Sequence, residues 1–301
     1  MKYLIIVIFF FLVEIHGCSR PPPPQEGYVK EEFLSTEEKV TEDASGKEKK
    51  YQRFDESGNL IAQGEVRNGQ VFETRFQYDG SGNLAARSEY IDDKLNGIVR
   101  GYNSTGTVYT EMTYKKGMLH GPTREYSPEG VLLFERNYKN DKLQGITREY
   151  TNGEVRVEKN YVNDKLNGIS RHYYDNGNIY MEKSFKNNVL HGVTREYDSK
   201  GNPAQEYLYQ EGELVAEKEF YDNNNVMRET IMEGGKAVWV KEYYDSGALM
   251  REKILKNGRP IQLNEYYDNG SIMYKRFYEN GILRKSQQFD PQGNLLESHN
   301  Y

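Results

Sequence analysis

The chain has 301 residues, 36% of them hydrophobic, with a mean hydropathy of −0.89 and a formal net charge of −6. So polar a composition argues against an ordinary compact domain, yet 26 Tyr and 12 Phe argue against a disordered chain, which would be poor in aromatics. The acidic balance excludes a nucleic-acid partner, since binding to a phosphate backbone needs a basic surface.

In chain order, residues 1–17 read as an export signal. Met1-Lys2 is a short positive start, and Tyr3 to Val13 is an almost wholly apolar run of eleven. A membrane-spanning helix needs about 20 such residues, so the run is the core of a signal peptide. It leads into Ile15-His16-Gly17-Cys18, which resembles a bacterial lipobox. The resemblance implies that Cys18 is lipidated and becomes the mature N-terminus. Cys18 is also the only cysteine, so no disulfide forms within the chain. Residues 18–50 read as a tether. Pro21 to Pro24 favour a stiff polyproline II spacer, followed by Glu- and Lys-rich sequence with one irregular strand near its end. The expected address is a cell membrane or outer membrane, with the body in the periplasm or at the surface.

Residues 51–301 are a repeat. Glycine recurs at 58, 82, 106, 130, 153, 177 and 201, then at 247, 270 and 293, with Asn224 in the vacant slot. Intervals are 23 or 24 residues apart from the double one that Asn224 divides, and an aromatic residue precedes each slot by three or four positions. Eleven β-hairpins are predicted, hence an all-β, elongated antiparallel array (about 22 strands at ~4.8 Å, on the order of 100 Å long). In one unit, strands over 145–150 and 154–161 flank a tight Asn152-Gly153 turn, and a looser turn over 140–145 feeds the next hairpin. That register puts Ile146, Arg148, Tyr150, Val155, Val157 and Tyr161 on an apolar face. Thr147, Glu149, Arg156 and Glu158 fall on a polar one.

Two charge series follow the repeat. Glutamate recurs at 111, 135, 158, 182, 206, 229 and 252, and a basic residue at Arg100, Arg124, Arg148, Arg171, Arg195, Lys218 and Lys241. The tight-turn register places the glutamates on the polar face and each arginine beside a tyrosine ring on the other. Both series can be structural, with charges pairing across strands inside each unit. They can also form a binding strip, for which the candidates are Arg100, Arg124, Arg148, Arg171 and Arg195 with Tyr102, Tyr126, Tyr150, Tyr173 and Tyr197. Arg and Tyr are enriched among residues that dominate binding energy.

The recurring Leu-(Asn/His/Gln)-Gly, as in Leu166-Asn167-Gly168 and Leu190-His191-Gly192, followed by a strand ending in Tyr and a Gly turn, resembles the MORN-repeat variant of bacterial YwqK-type antitoxin-like proteins. The resemblance implies binding, and in an antitoxin the neutralising of one toxin. Linkage of MORN proteins to membranes and scaffolds adds an envelope glycan- or lipid-binding role as a further alternative.

Catalytic chemistry is not expected. No Gly-x-Ser-x-Gly elbow, P-loop or dinucleotide fingerprint occurs. His120 and His191 occupy the same slot three repeats apart, about 29 Å at ~9.6 Å per hairpin, too far to share a metal. Asp175, Asp245 and Asp268 suit hairpin turns better than a calcium cage of six to eight oxygens. No cofactor and no metal are expected. The expected partners are a protein and, through the lipid, a membrane.

Overall fold

The computed structural model describes residues 37–42 and 48–301. The predicted signal segment, Cys18 and the four prolines lie outside the described residues.

Among the described residues every regular element is a strand, and 26 strands join in one antiparallel sheet. Three of them, Lys94–Leu95, Lys142–Leu143 and Lys165–Leu166, have only two residues and run through a bulge into the next strand. The rest are the paired strands of eleven hairpins plus Glu37–Glu42, which lines the N-terminal edge against Glu48–Phe54. Strands follow one another in chain order. The last, Leu295–Asn300, pairs only with Ile282–Phe289, so the sheet is open. The predicted all-β hairpin array is therefore the observed architecture.

The two edges of the sheet carry different connections, and the tight and loose ones are exchanged relative to those expected. The supposedly loose turn contains the tight one. Asn140-Asp141 is a two-residue turn with both φ angles positive, 51° and 65°, between the opposed residues Lys139 and Lys142. Equivalent turns at Asn163-Asp164, Asn187-Asn188, Asn257-Gly258 and Asn280-Gly281 share both positive angles. Such primed turns match strand twist and demand residues that tolerate φ > 0, hence Asn, Asp and Gly. The other edge carries five-residue connections. In Tyr174–Asn178 the Tyr174 N–H donates to the Asn178 carbonyl at 2.8 Å and the Gly177 N–H to the Tyr174 carbonyl at 3.0 Å. Asn152-Gly153 is the shortened exception on this edge.

A bulge beside each of these connections also divides the predicted faces, inverting one strand of the hairpin against the other. Tyr150 opposes Val155 but Glu149 opposes Val157, leaving Arg156 unopposed and slipping the register by one. A one-residue slip moves every later side chain of that strand to the other face. Arg148 now lies directly opposite Glu158, and Thr147 opposite Lys159. Thr147, predicted on the polar face, is buried, while Ile146 is 41% exposed. The core therefore combines the two predicted faces: Thr147, expected on the polar one, shares the inner face with Tyr161, expected on the apolar one. It contains Val99, Met112, Leu119, Tyr138, Leu143 and Tyr161, with Leu95, Tyr114 and Leu166 packed against them. Short residues from successive units (Thr123, Thr147, Ser170 and Thr194) fill the same inner face. Fully burying a Leu, Met or Val side chain contributes about 1.5–3 kcal/mol, so each unit adds only a small share and needs its neighbours.

Backbone contacts between units supply the rest. The Asp141 N–H donates to the Leu119 carbonyl and its Oδ1 accepts from the Leu119 N–H, at 2.9 and 3.0 Å. Asp164 does the same to Leu143, and Asn188 to Leu166. On the opposite edge Asn176 and Asn178 donate to the Ser199 carbonyl, and Asn223 and Asn225 to that of Asp245. Both edges are thus stitched repeat to repeat.

Candidate functional site

The five candidate arginines sit at one position of successive hairpins, on the outer face opposite the core. Cross-strand pairing joins them into a single line: Arg100–Glu111, Glu111–Arg124, Arg124–Glu135, Glu135–Arg148, Arg148–Glu158, Glu158–Arg171, Arg171–Glu182, Glu182–Arg195 and Arg195–Glu206. Lys218, Glu229, Lys241 and Glu252 continue it before Asn264 breaks the alternation. The two predicted charge series are therefore one row, not two rows on opposite faces. Side chains directly opposed on adjacent strands lie within reach of each other, and unlike charges there are stabilising.

Contacts along the row repeat. The Nε of Arg100, Arg148 and Arg171 donates to Glu111, Glu158 and Glu182 at 2.7 Å in each case, and those of Arg124 and Arg195 to Glu135 and Glu206 at 2.8 Å. A tyrosine hydroxyl of the next hairpin completes several of the carboxylates. Tyr126 donates to Glu111, Tyr173 to Glu158 and Tyr197 to Glu182, at 3.1, 2.9 and 3.1 Å. The arginines thus bind glutamate rather than stack on tyrosine as predicted. Cation–ring contacts occur away from these five arginines, as with Arg75 over Tyr90 and, further along the row, Lys241 over Trp239.

Electrostatics follow from these bonds. The hydrogen bonds to Glu158 and Glu182 hold the Arg148 and Arg171 guanidiniums above their ordinary pKa. Burial alone would raise the Glu158 carboxyl, but hydrogen bonds from Arg148 and Tyr173 outweigh it and hold the group below the usual range. Burial, and then the bond to Glu158, pushes the Tyr173 phenol up to about 12. Exposure separates the two signs. The five arginine side chains are 28–46% exposed and their glutamate partners 16–22%. Guanidinium groups stand proud; carboxylates are recessed.

Next to the row lies a second line, in which Ile146 opposes Asn160 and Ile169 opposes Ser184 before an apolar run from Val193 to Trp239; Ile146, Ile169, Leu208 and Trp239 are each more than a third exposed. Its alignment follows from pairings such as Val193–Leu208, Leu208–Ala216, Ala216–Ile231 and Ile231–Trp239. Sequence reading missed this outer apolar line because it placed Ile146 in the core.

The remaining candidates have local roles. The His120 ring nitrogen meets Asn140 at 3.1 Å and that of His191 meets Glu211 at 3.3 Å, each partner belonging to the next tight turn along the sheet. His172 is on the inner face, edge-on to Tyr180, and burial, then Lys183 and Lys159, lower its pKa to about 4. A cleft of about 620 Å³ at the N-terminal end is lined by Lys39, Lys50, Glu65 and Glu89 among others, a mixed set with no convergent chemistry.

Five segments, residues 95–116, 119–140, 166–187, 190–211 and 263–280, match the family described as MORN repeat variant. Four of them open on the leucine before a bulge and close at a tight turn. No curated protein matches the chain. Among solved structures, the crystal structure of TarM is 17% identical over 35% of this chain and 22% of that one, with a TM-score of 0.22. The S. aureus TarM mutant in complex with fondaparinux, alpha-GlcNAc-glycerol and UDP is 16% identical over 40% and 21%, with a TM-score of 0.18. The Photorhabdus luminescens Tc holotoxin pore is 14% identical over 87% and 16%, with a TM-score of 0.21. The chain spans about a fifth of the length of these proteins, and likenesses of this size carry no functional argument.

Proposed function

We propose that this chain is a non-enzymatic binding module, held at the bacterial envelope by a lipid on Cys18, whose outer sheet face takes a protein partner. One observation carries the reading: the inner face buries its apolar side chains, whereas the outer face exposes Ile146 and Ile169 beside prominent arginines, and Leu208 and Trp239 further along the same charged row. Arg beside partly exposed apolar surface is the composition of interface cores. MORN-type repeats over five segments agree with a repeat-based binding module. The YwqK-type resemblance supports the same mode of action, capture of a partner. Export rests on the apolar leader and the lone Cys18.

Site-specific photo-cross-linking in cells tests the face. Probes at Ile146 and Ile169 should give a discrete adduct, and one at Lys159 on the inner face should not. Adducts from Lys159 alone would refute the assignment. Anchoring is tested separately by Cys18→Ser, which should release the protein from the membrane fraction and abolish labelling by a lipid precursor.

A further inference from the structure

The polar capacity that the outer row presents to solvent is mostly donor, because its glutamates are recessed and engaged on both oxygens while its arginines are more exposed. Each of Glu111, Glu158 and Glu182 has one carboxylate oxygen on an arginine Nε and the other on a tyrosine hydroxyl. A guanidinium has five N–H groups, and the carboxylate bonds of Arg100, Arg171 and Arg195 leave from Nε. In these three the tip nitrogens remain to meet a ligand, whereas Arg148 donates one of its own to Glu135 at 3.4 Å and that of Arg124 lies 3.8 Å from Glu111. Although the row alternates in sign, its outward chemistry is that of guanidinium forks suited to carboxylates.

The spacing narrows the partner. Arginines recur on every second strand, hence at ~9.6 Å. In a polyproline II segment every third residue returns to the same side after about 9.3 Å. A β-strand returns after about 6.7 Å and drifts out of phase within two arginines. The tyrosine positions two residues beyond each arginine and the partly exposed Ile146 and Ile169 flank the row, offering apolar walls of the kind that proline-rich ligands occupy. Beyond Arg195 the slot passes to Lys218 and Lys241, point charges without the fork, which marks the C-terminal limit of the site.

We infer that the row from Arg100 to Arg195 recognises an acidic, proline-rich polypeptide segment in the polyproline II conformation, lying across the strands with a carboxylate at every third residue. This rests on the outer-face reading above. Two labelled 18-residue peptides of equal composition test it by fluorescence anisotropy with the full-length protein: six Glu-Pro-Pro units, and the same residues with the glutamates clustered. The periodic peptide should bind about tenfold more tightly. Arg171→Gln with Arg195→Gln should remove that advantage. Arg171→Lys with Arg195→Lys should weaken binding too, since charge is kept and the fork is lost. Melting curves identify any variant that fails to fold, and Arg124→Lys with Arg148→Lys then serves as the second pair. Equal binding of both peptides, or tighter binding of inorganic polyphosphate than of the periodic peptide, would overturn the inference. Absence of peptide binding while cross-links persist from Ile146 would sink the partner class and leave the outer-face reading standing.

Discussion

Glu158 shows how one side chain serves two hairpins. It accepts from Arg148 within its own unit and from Tyr173 in the next, so its charge couples folding of both. Hydrogen bonds to a charged group contribute about 1.5–3 kcal/mol, but both partners here are partly solvated, which reduces that figure. A double-mutant cycle of Arg148→Ala and Glu158→Ala, read by chemical denaturation, should give a coupling energy of about 1 kcal/mol. No measurable coupling would mean that solvent screens the row. The pH dependence has two windows. Tyr51, Tyr173, Tyr207 and Tyr266 are each pushed up to about 12, first by burial. The folded chain keeps these protons where the unfolded chain has begun to lose its own, near pH 10. The folded state then binds more protons, and stability falls as pH rises from 10 through about 12. On the acid side His172, lowered to about 4 by burial and then by Lys183 and Lys159, has the opposite sign. Its contribution is present above pH 6.5 and is lost as pH falls towards 4. His172→Gln should flatten that part of the melting-temperature profile while leaving the alkaline limb intact. An unchanged acid limb would assign the loss to carboxylates such as Glu158.

At the scale of the element, the Leu-(Asn/His/Gln)-Gly motif is a bulge. In Leu119-His120-Gly121, Leu119 faces Tyr114 in the core and Gly121 returns the chain to the ladder opposite Tyr138. Gly121 has φ of +119°, a region that side chains rarely adopt, and a Cβ there would lie 3.2 Å from Thr113. Gly121→Ala should therefore cost about 1–3 kcal/mol from backbone strain. Gly106→Ala, with φ of +81° and no neighbour within 4 Å, should cost less, because only the turn conformation opposes it. Comparing the two by thermal melting reads the close approach together with the larger φ at Gly121. Equal losses would show that neither adds to the cost of a positive φ.

For the whole molecule, stability should behave as a sum over units. Each hairpin contacts the hairpins before and after it through cross-strand pairs and edge hydrogen bonds, and the ends of the sheet do not meet. Removing everything after Gly177 should leave a β-rich, folded fragment with a lower melting temperature and a smaller unfolding enthalpy. Full loss of β signal in circular dichroism would contradict a quasi-one-dimensional array.

Much was legible in the sequence because it is periodic. The 23–24-residue recurrence of Gly58, Gly82 and their successors determined the number of hairpins, and alternation with Asn/Asp/Gly punctuation determined that they are antiparallel. The same periodicity singled out Arg148, Glu158 and Tyr173 without saying which of them meet. Which connection is tight, and which face each side chain joins, was decided only by tertiary structure. Both depend on bulges such as that at Arg156, where a single unopposed residue inverts the strand. Such a residue leaves almost no local signature, since nearly any side chain can occupy a bulge; what selects it is the burial of Thr147 and Tyr161 behind it and the pairing of Arg148 with Glu158 in front.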